Sequence, residues 1–395
     1  MADQKQKVLI LGGGFGGVKA GLLLAKHPAF TVSLMSDQTN FRFYPTLYRA
    51  ATGGKRAASA IALSEIFSGH DVKLIHDSAE GLDRAAQKVT GKSGQTYAYD
   101  HLIIALGSVT NFFGIKGLDK YAYGIKTFED ASRLKNHLHR QLVEEHKPDV
   151  HYVVIGGGPT GIELAGALPG YIRRILKCHG LDNASFEVDL VEAADRLVPR
   201  MPVAYSQAIV KRLRQLGVKI KLNEAVKAET ADTLMVSGQP IKSHSVVWTA
   251  GVTNHPFLKN NDFNLSEHGK AAVDDQLAAE PNVYVIGDNA DTTYSGMAQT
   301  ALHDAHFVAT NLSQLAAGKK LAAYLPKRPI YVTPVGPQWA AVSWGKFRTY
   351  GWLGWILRGA ADFLAYHDLE PWQKASRHWV SEMGIEETCP ICARH

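Results

Sequence analysis

The sequence predicts an α/β protein with two doubly wound domains, one inserted in the other, followed by a helical C-terminal segment. Three observations carry this. The stretch VLILGGGFGGVKAG (8–21) recurs as VVIGGGPTGIELAG (153–166), each an apolar run, a glycine turn and a helix-like segment. Both halves close on a strand that stops at a glycine, HLIIALG at Gly107 and SVVWTAG at Gly251. Gly12 to Gly156 spans 144 residues, and Gly107 to Gly251 spans 144 again, so one internal spacing is written twice.

In the first copy a strand at 7–11 leads to a helix at 18–26 and a strand at 32–35, with short strands near 72–76 and 88–90. In the second, strands are expected at 152–155, 188–191 and 218–222, with helices at 162–177 and 206–216. Alternation of this kind builds parallel, Rossmann-like sheets. The first glycine of each turn permits the tight bend, the second lets backbone approach a pyrophosphate, and the third lets helix pack on strand. The phosphate then meets unpaired N–H groups at the helix N-terminus. An acid ending the second strand accepts hydrogen bonds from a ribose. Glu192 in DLVEAAD has this place in the second copy and favours NADH over NADPH, with Arg196 close enough to soften the preference. In the first copy the strand ends LMSDQ, which offers Ser36 or Asp37. NVYVIGDNAD (282–291) reads as the return of the chain to the first domain, with Asp288 just after the strand. The expected organisation is an FAD-binding domain over 1–112 and 252–330, an NADH-binding domain over 113–251, and a C-terminal segment over 331–395.

The bulk numbers agree with a folded protein of two or three domains: 395 residues, 46% hydrophobic and 20% charged. A net charge of +6 suits an anionic partner such as a membrane surface. The basic residues are scattered, which argues against a nucleic-acid module. Three cysteines, Cys178, Cys389 and Cys392, do not make a disulfide framework. The polar start MADQKQK gives no leader signal, and no run of about 18 apolar residues is present to cross a bilayer.

Taken together, GGGFGG, FRFYPTLYRAATGG (41–54), GIKTFEDASRLKNHL (124–138), GGGPTGIELAGAL (156–168), VVWTAGV (246–252) and VYVIGDNAD with AQTALHDA (298–305) resemble the type II NADH:quinone oxidoreductases. These are monotopic flavoproteins with two dinucleotide-binding domains. The resemblance implies that Gly12, Gly14, Phe15 and Gly17 hold the FAD pyrophosphate, with Gly107, Asp288 and Gln299 elsewhere on FAD and Ala79 meeting the adenine through its backbone. It implies that Gly156, Gly158, Gly161, Glu192 and Gly251 hold NADH. Where the family carries an acid after the first domain's second strand, this chain has Ser36, and Asp37 is the neighbouring substitute. The family's quinone-side motif, AQxxxQ, becomes Gln299 and His303 here, neighbours on one helical face. A histidine there can donate a hydrogen bond to a quinone and also supply a proton. Glu163 is expected near the nicotinamide and the flavin, as a group that orients the ring or influences its charge. The plainer alternative is a first-turn acid favoured by the helix dipole.

Six of the seven tryptophans follow residue 338. Trp352, Trp355, Ile356, Phe363 and Tyr366 fall near one helical face, with Arg358 and Asp362 toward the other. That pattern suits an amphipathic helix in a membrane interface, a helix docked on the flavin domain, or a homodimer interface. The terminal ETCPICARH carries one CxxC, which without a second pair is a weak zinc signal and is open also to a redox dithiol or, the favoured reading, two free thiols on a frayed end. No metal ligand set is assigned, for these cysteines or for His137, His139, His303 and His306. The expected activity is oxidation of NADH through non-covalent FAD and reduction of a membrane quinone, without proton pumping, by a peripheral protein on the cytoplasmic face. The rivals are a soluble NADH oxidase or ferredoxin-type reductase, a sulfide:quinone oxidoreductase, which needs paired cysteines beside the flavin, and a non-enzymatic flavoprotein that senses NADH.

Overall fold

In the computed structural model, which describes residues 5–145, 148–181, 184–387 and 389–394, the repeated sequence becomes two sheets of one design. The first four residues, part of the polar start, lie outside the described residues, as does Thr388 of the terminal motif. The first unit runs β1 (Gln6–Leu11), α1 (Phe15–Leu24), β2 (Phe30–Ser36), β3 (Val72–His76) and β4 (His101–Ile104). The chain leaves through β5 (Ser108–Thr110) and builds α2 (Phe128–His139), β6 (His151–Ile155), α3 (Pro159–Cys178) and β7 (Glu187–Val191). It continues through α4 (Val203–Gln215), β8 (Val218–Lys221) and β9 (Ser245–Trp248). It returns through β10 (Val252–Asn254), antiparallel to β5, to form β11 (Ala278–Glu280), β12 (Val283–Val285) and α5 (Ala298–Ala316). The sheet orders are β11–β12–β4–β1–β2–β3 and β9–β6–β7–β8, so β4–β1–β2–β3 of the first has its counterpart in the second.

The strands are apolar on both faces, as parallel strands covered on both sides must be. In β1, Val8 and Ile10 cluster with Val18 and Leu22 of α1 and with Val308 and Leu312 of α5. Leu9 and Leu11 point the other way, toward Val89 and Tyr99 of an antiparallel meander (Ala79–Asp83, Lys88–Gly91, Thr96–Ala98). β6 repeats the division: Tyr152 and Val154 join Ile162 and Ala165 of α3, while Val153 and Ile155 join Leu234 and Ile241 of a second meander. An even repeat of 144 residues preserves the strand period of two, so each inward side chain keeps its face.

The C-terminal segment differs from expectation twice. Residues 331–351 form an antiparallel sheet, β13 (Tyr331–Pro334), β14 (Ala340–Trp344) and β15 (Phe347–Gly351), which the purely helical reading did not include. It docks on the second unit, where the buried Tyr205 hydroxyl donates to Thr333 Oγ1 (2.9 Å) and to Ala341 O (3.0 Å). Gly166 of α3 permits this approach, since a Cβ there would stand 2.9 Å from the Gly336 nitrogen.

The second difference lies in α6 (Trp352–His367), where Tyr366, expected on the apolar stripe, falls on the charged side, and that side faces inward. Gly354, Arg358, Asp362 and Tyr366 are its buried face, whereas Trp352 (64%), Leu353 (49%) and Leu364 (56%) are exposed. Arg358 Nε lies 2.6 Å from Asp362 Oδ2. Tyr366 sits with this pair rather than on the apolar stripe. Its ring stacks on Phe43 at 4.0 Å, and its hydroxyl donates to Ala58 O (2.7 Å). A last helix, α7 (Trp372–Ser381), lies across α6 with Trp379 Nε1 donating to Gly359 O. No described helix is long and apolar enough to cross a membrane.

Candidate active site

The carboxyl ends of β1, β2, β4 and β12 meet along one edge, where the expected FAD residues fall. The two glycine turns are built alike. Gly12 and Gly156 take φ of +110° and +112°, which side-chain-bearing residues rarely adopt. A Cβ on Gly17 or Gly161 would strike the carbonyl oxygen of Gly12 or Gly156. Gly14 and Gly158, the N-cap residues of α1 and α3, are different: a Cβ on either would meet nothing within 4 Å, and neither helix has a side-chain cap. Each helix therefore opens its first N–H groups onto a free concavity, the environment a pyrophosphate needs. The Phe15 ring is turned away from the turn and packs edge-on against Phe41 at 4.9 Å inside the core, so only its backbone faces the cradle.

Backbone pairing identifies the residues that follow the second strands. Gly12 N donates to Met35 O, and Gly156 N donates to Val191 O, both at 2.8 Å, so Ser36 occupies the place of Glu192. The Glu192 carboxylate accepts from Gly157 N (2.5 Å) and Ala194 N (2.7 Å), which fixes it over the glycine turn. Ser36 is buried and lies against Gly13, while the Asp37 side chain is 62% exposed and 3.9 Å from Arg42. The two first-domain candidates are thus separated: Ser36 faces the turn and Asp37 points away.

Asp288, in a 3₁₀ turn after β12, accepts from Ser108 Oγ (2.9 Å), which in turn accepts from Lys126 Nζ (2.9 Å). The next residue, Asn289, is fully buried. It accepts from Gly107 N (2.7 Å) and donates to Gly107 O (2.8 Å) and Asn254 Oδ1 (3.1 Å), holding the departing and returning strands together. Gly251 lies at the same crossing, where a Cβ would stand 2.5 Å from Asn111 O. Ala79 begins its meander strand, buried beside Leu11 and Met35. Sequence reasoning missed Ser108, Lys126 and Asn289. Lys126 and Asn289 lie inside the quoted GIKTFED and GDNAD stretches, and Ser108 carried no signal.

Gln299 and His303 do share a face of α5, but their polar atoms are already engaged. Gln299 Nε2 donates to Ile330 O (2.8 Å) and its Oε1 accepts from Ile330 N (3.0 Å). His303 Nε2 lies 2.9 Å from Leu325 O. These side chains brace the 325–330 strap. Asp304 beside them anchors α5, accepting from Gly287 N (3.0 Å) and Tyr324 OH (2.6 Å).

α3 starts at Pro159, so Glu163 is its fifth residue, beyond the first turn where a dipole acid belongs. Its side chain is partly accessible yet enclosed by protein on most sides. Burial pushes its carboxyl up to about 8; Arg358 and Arg49 pull it down and Asp362 pushes it up. Those partners form a buried charged group at the meeting of the 43–62 loop, α3, α6 and the tail. Arg49 Nη1 donates to Glu382 O (2.9 Å) and Arg358 Nη2 to Pro45 O (3.0 Å). Burial, with Asp362 adding to it, raises Glu382 to about 7.

A family model, pyridine nucleotide-disulphide oxidoreductase, matches residues 6–305. The chain belongs to the pyridine nucleotide-disulphide oxidoreductase family. Among similar proteins is a type II NADH:quinone oxidoreductase of Mycobacterium tuberculosis, 29% identical over 350 residues, covering 82% of this chain and 75% of the relative. Another, from Staphylococcus haemolyticus, is 26% identical over 342 residues and covers 81% and 85%. Among solved structures, NDH2 of Plasmodium falciparum in complex with NADH superimposes with a TM-score of 0.86 at 16% identity, over 96% of this chain and 98% of that one. The sulfide:quinone oxidoreductase of Aquifex aeolicus gives 0.78 at 19% identity, over 94% and 92%. Both structural likenesses are of fold. Within the family, this chain's cysteines are misplaced for dithiol chemistry. Cys178 ends the 20-residue α3 whose other end carries the glycine turn, a separation of about 30 Å along the helix.

Proposed function

We infer that this chain is a type II NADH:quinone oxidoreductase, which oxidises NADH through non-covalent FAD and reduces a quinone. The observation that carries this is the pair of glycine cradles, each with an uncapped helix N-terminus, in two units clamped at one crossing by Asn289. Bound FAD supplies the two-electron chemistry between nicotinamide and quinone. Gly12, Gly14 and Gly17 with the start of α1 hold its pyrophosphate, Asp288 its ribityl chain, and Ala79 the adenine. Gly156, Gly158 and Gly161 hold that of NADH, and Glu192 accepts from its ribose and disfavours a 2′-phosphate. Glu163, protonated near neutral pH, adds no negative charge to the site where electrons arrive. Gln299 and His303 shape the acceptor's entry by holding the 325–330 strap.

The outward face of α6, with Trp344 and Phe347 of the adjoining hairpin, is a set of exposed aromatic and aliphatic side chains on a chain of net charge +6. This supports peripheral seating on an anionic bilayer at the cytoplasmic face, where quinone is dissolved. A second copy of the chain is the alternative cover. Anaerobic titration of the purified yellow protein tests the activity: NADH is expected to bleach the flavin far more readily than NADPH, and a short-chain quinone to restore the colour. Bleaching without reoxidation by quinone rejects the quinone assignment and leaves an oxidase or ferredoxin-type reductase.

A further inference from the structure

The terminal CxxC is not frayed. Cys392 is 1% exposed and Cys389 partly buried. The chain reaches them through polar contacts to both domains: Glu386 N donates to Gly53 O (2.9 Å), Lys135 Nζ donates to Glu386 O (2.9 Å), and Arg174 pairs with Glu387 (2.5 Å). At the end of this path stand two histidines from the NADH domain. His139 is the last residue of α2, followed by a π-helical turn over Arg140–Glu144, and His179 caps the C-terminus of α3.

The Nε2 and Sγ atoms converge. Cys392 Sγ is 3.3 Å from His179 Nε2 and 3.8 Å from His139 Nε2, and Cys389 Sγ is 3.5 Å from His179 Nε2. One ligand atom from each of the four residues lies within 4.8 Å of the others. Tetrahedral zinc bonds of ordinary length to sulfur and nitrogen put those atoms about 3.6 Å apart. The imidazole rings meet edge to face, 5.7 Å between centroids at 76°, rather than stacking, as two ligands to one ion do.

We propose that Cys389, Cys392, His139 and His179 form a structural Zn²⁺ site that fastens the C-terminal tail to the NADH domain. The donor set, two sulfurs and two imidazoles, is that of a closed zinc centre. Two thiolates neutralise the ion, so the buried centre carries no net charge. The negative end of the α3 dipole adds attraction for a cation. The site stands at the far end of α3 from the glycine turn and takes no part in electron transfer. It holds the tail whose Glu382 carbonyl receives Arg49. The sequence reading that assigned no metal ligands is thereby revised: the missing second pair of ligands comes from two helix ends, not from a second CxxC.

Metal analysis of the purified flavin-loaded protein tests this directly. About one zinc per chain is expected, less than about one-tenth in the Cys389→Ser/Cys392→Ser double variant, and about one again in Cys178→Ser, which removes the neighbouring thiol only. Should the double variant fail to fold, cobalt-grown wild-type protein keeps the proposal testable. It should absorb as a tetrahedral thiolate complex, and zinc should displace that absorption. Displacing the zinc of the wild type with a mercurial reagent and a chelator should lower its melting temperature by about 3 °C or more. Wild-type protein from zinc-supplemented growth that holds no stoichiometric metal overturns the site, as does equal zinc in the double variant. A Cys389–Cys392 disulfide in the native protein, seen by mass spectrometry, overturns it too.

Discussion

At the residue scale, Glu163 changes character between sequence and structure. In the sequence it is a carboxylate close behind a phosphate-binding turn, and a role in orienting the ring or a helix-dipole acid are both open. The structure removes the dipole reading by starting α3 at Pro159, and surrounds the carboxyl with Arg358, Asp362 and Arg49 from other parts of the chain. Burial raises its folded pKa to about 8, above the unfolded value of about 4.5. The unfolded chain therefore releases this proton first, so the group's contribution falls as pH rises from about 4.5 and levels off above about 8. Glu163→Gln, which copies the protonated acid, should lack this loss. Its melting temperature should exceed wild type by about 2–4 °C at pH 8 and match it near pH 5. The rate of flavin reduction by NADH should fall above about pH 8 in wild type and stay level in Glu163→Gln. Stopped-flow traces across pH 6–9 measure this, and identical pH profiles in the two proteins would remove Glu163 from the site. Glu192 is the opposite case: its place over the glycine turn was legible, because a strand end and that turn fix it locally. Glu192→Ala should bring the preference for NADH over NADPH down by about tenfold or more, about the effect of one lost charge-assisted hydrogen bond.

At the element scale, helix existence was legible and helix orientation was not. The periodicity of 352–366 places an apolar stripe opposite Arg358 and Asp362, and in water the charged stripe belongs outside. The structure reverses this because the two charges satisfy each other one turn apart, and Pro45, Arg49 and Glu382 complete the group from more than 300 residues away for the first two. No local pattern encodes such partners. The outward stripe is then unexplained by folding, and the bilayer seating proposed above is what would cover it. Trp352→Ser/Leu353→Gln/Ile356→Gln should lose most of its binding to anionic liposomes, with a melting temperature within about 2 °C of wild type, since exposed positions contribute little to stability. Sedimentation with vesicles reads the first, and calorimetry the second. Undiminished vesicle binding together with a loss of dimer by light scattering would make the face a contact between two copies. Removing the inward charge should act oppositely: Arg358→Ala leaves Asp362 buried without its partner, at a cost of about 3–5 kcal/mol.

At the scale of the whole molecule, the repeat of 144 residues was the most informative feature, because it announced two units of one design before any contact was known. What it did not reveal is how the two copies are held at one angle. That rests on the core that the short helix Leu47–Ala51 shares with α2 and α3, on the antiparallel β5–β10 pair, and on Asn289, whose one amide group touches Gly107 and Asn254 where the chain leaves and returns. A hydride donor and its acceptor must be held about 3–3.5 Å apart and aligned, so a buried amide that helps set the orientation acts on rate more than on affinity. Asn289→Ala leaves the Gly107 N–H and carbonyl without this partner, at a cost of about 1–3 kcal/mol. It also loosens the crossing at which the chain leaves and returns. NADH binding, made by the cradle around Gly158 and Glu192, should stay within about twofold of wild type, while the single-turnover rate of flavin reduction falls by about tenfold or more. The FAD content of the purified variant is the control, since flavin loss alone would lower amplitude and leave the rate of the remaining bleaching unchanged. A variant with full flavin and a wild-type rate would place the control of domain angle in the β5–β10 pairing and the Leu47–Ala51 helix core.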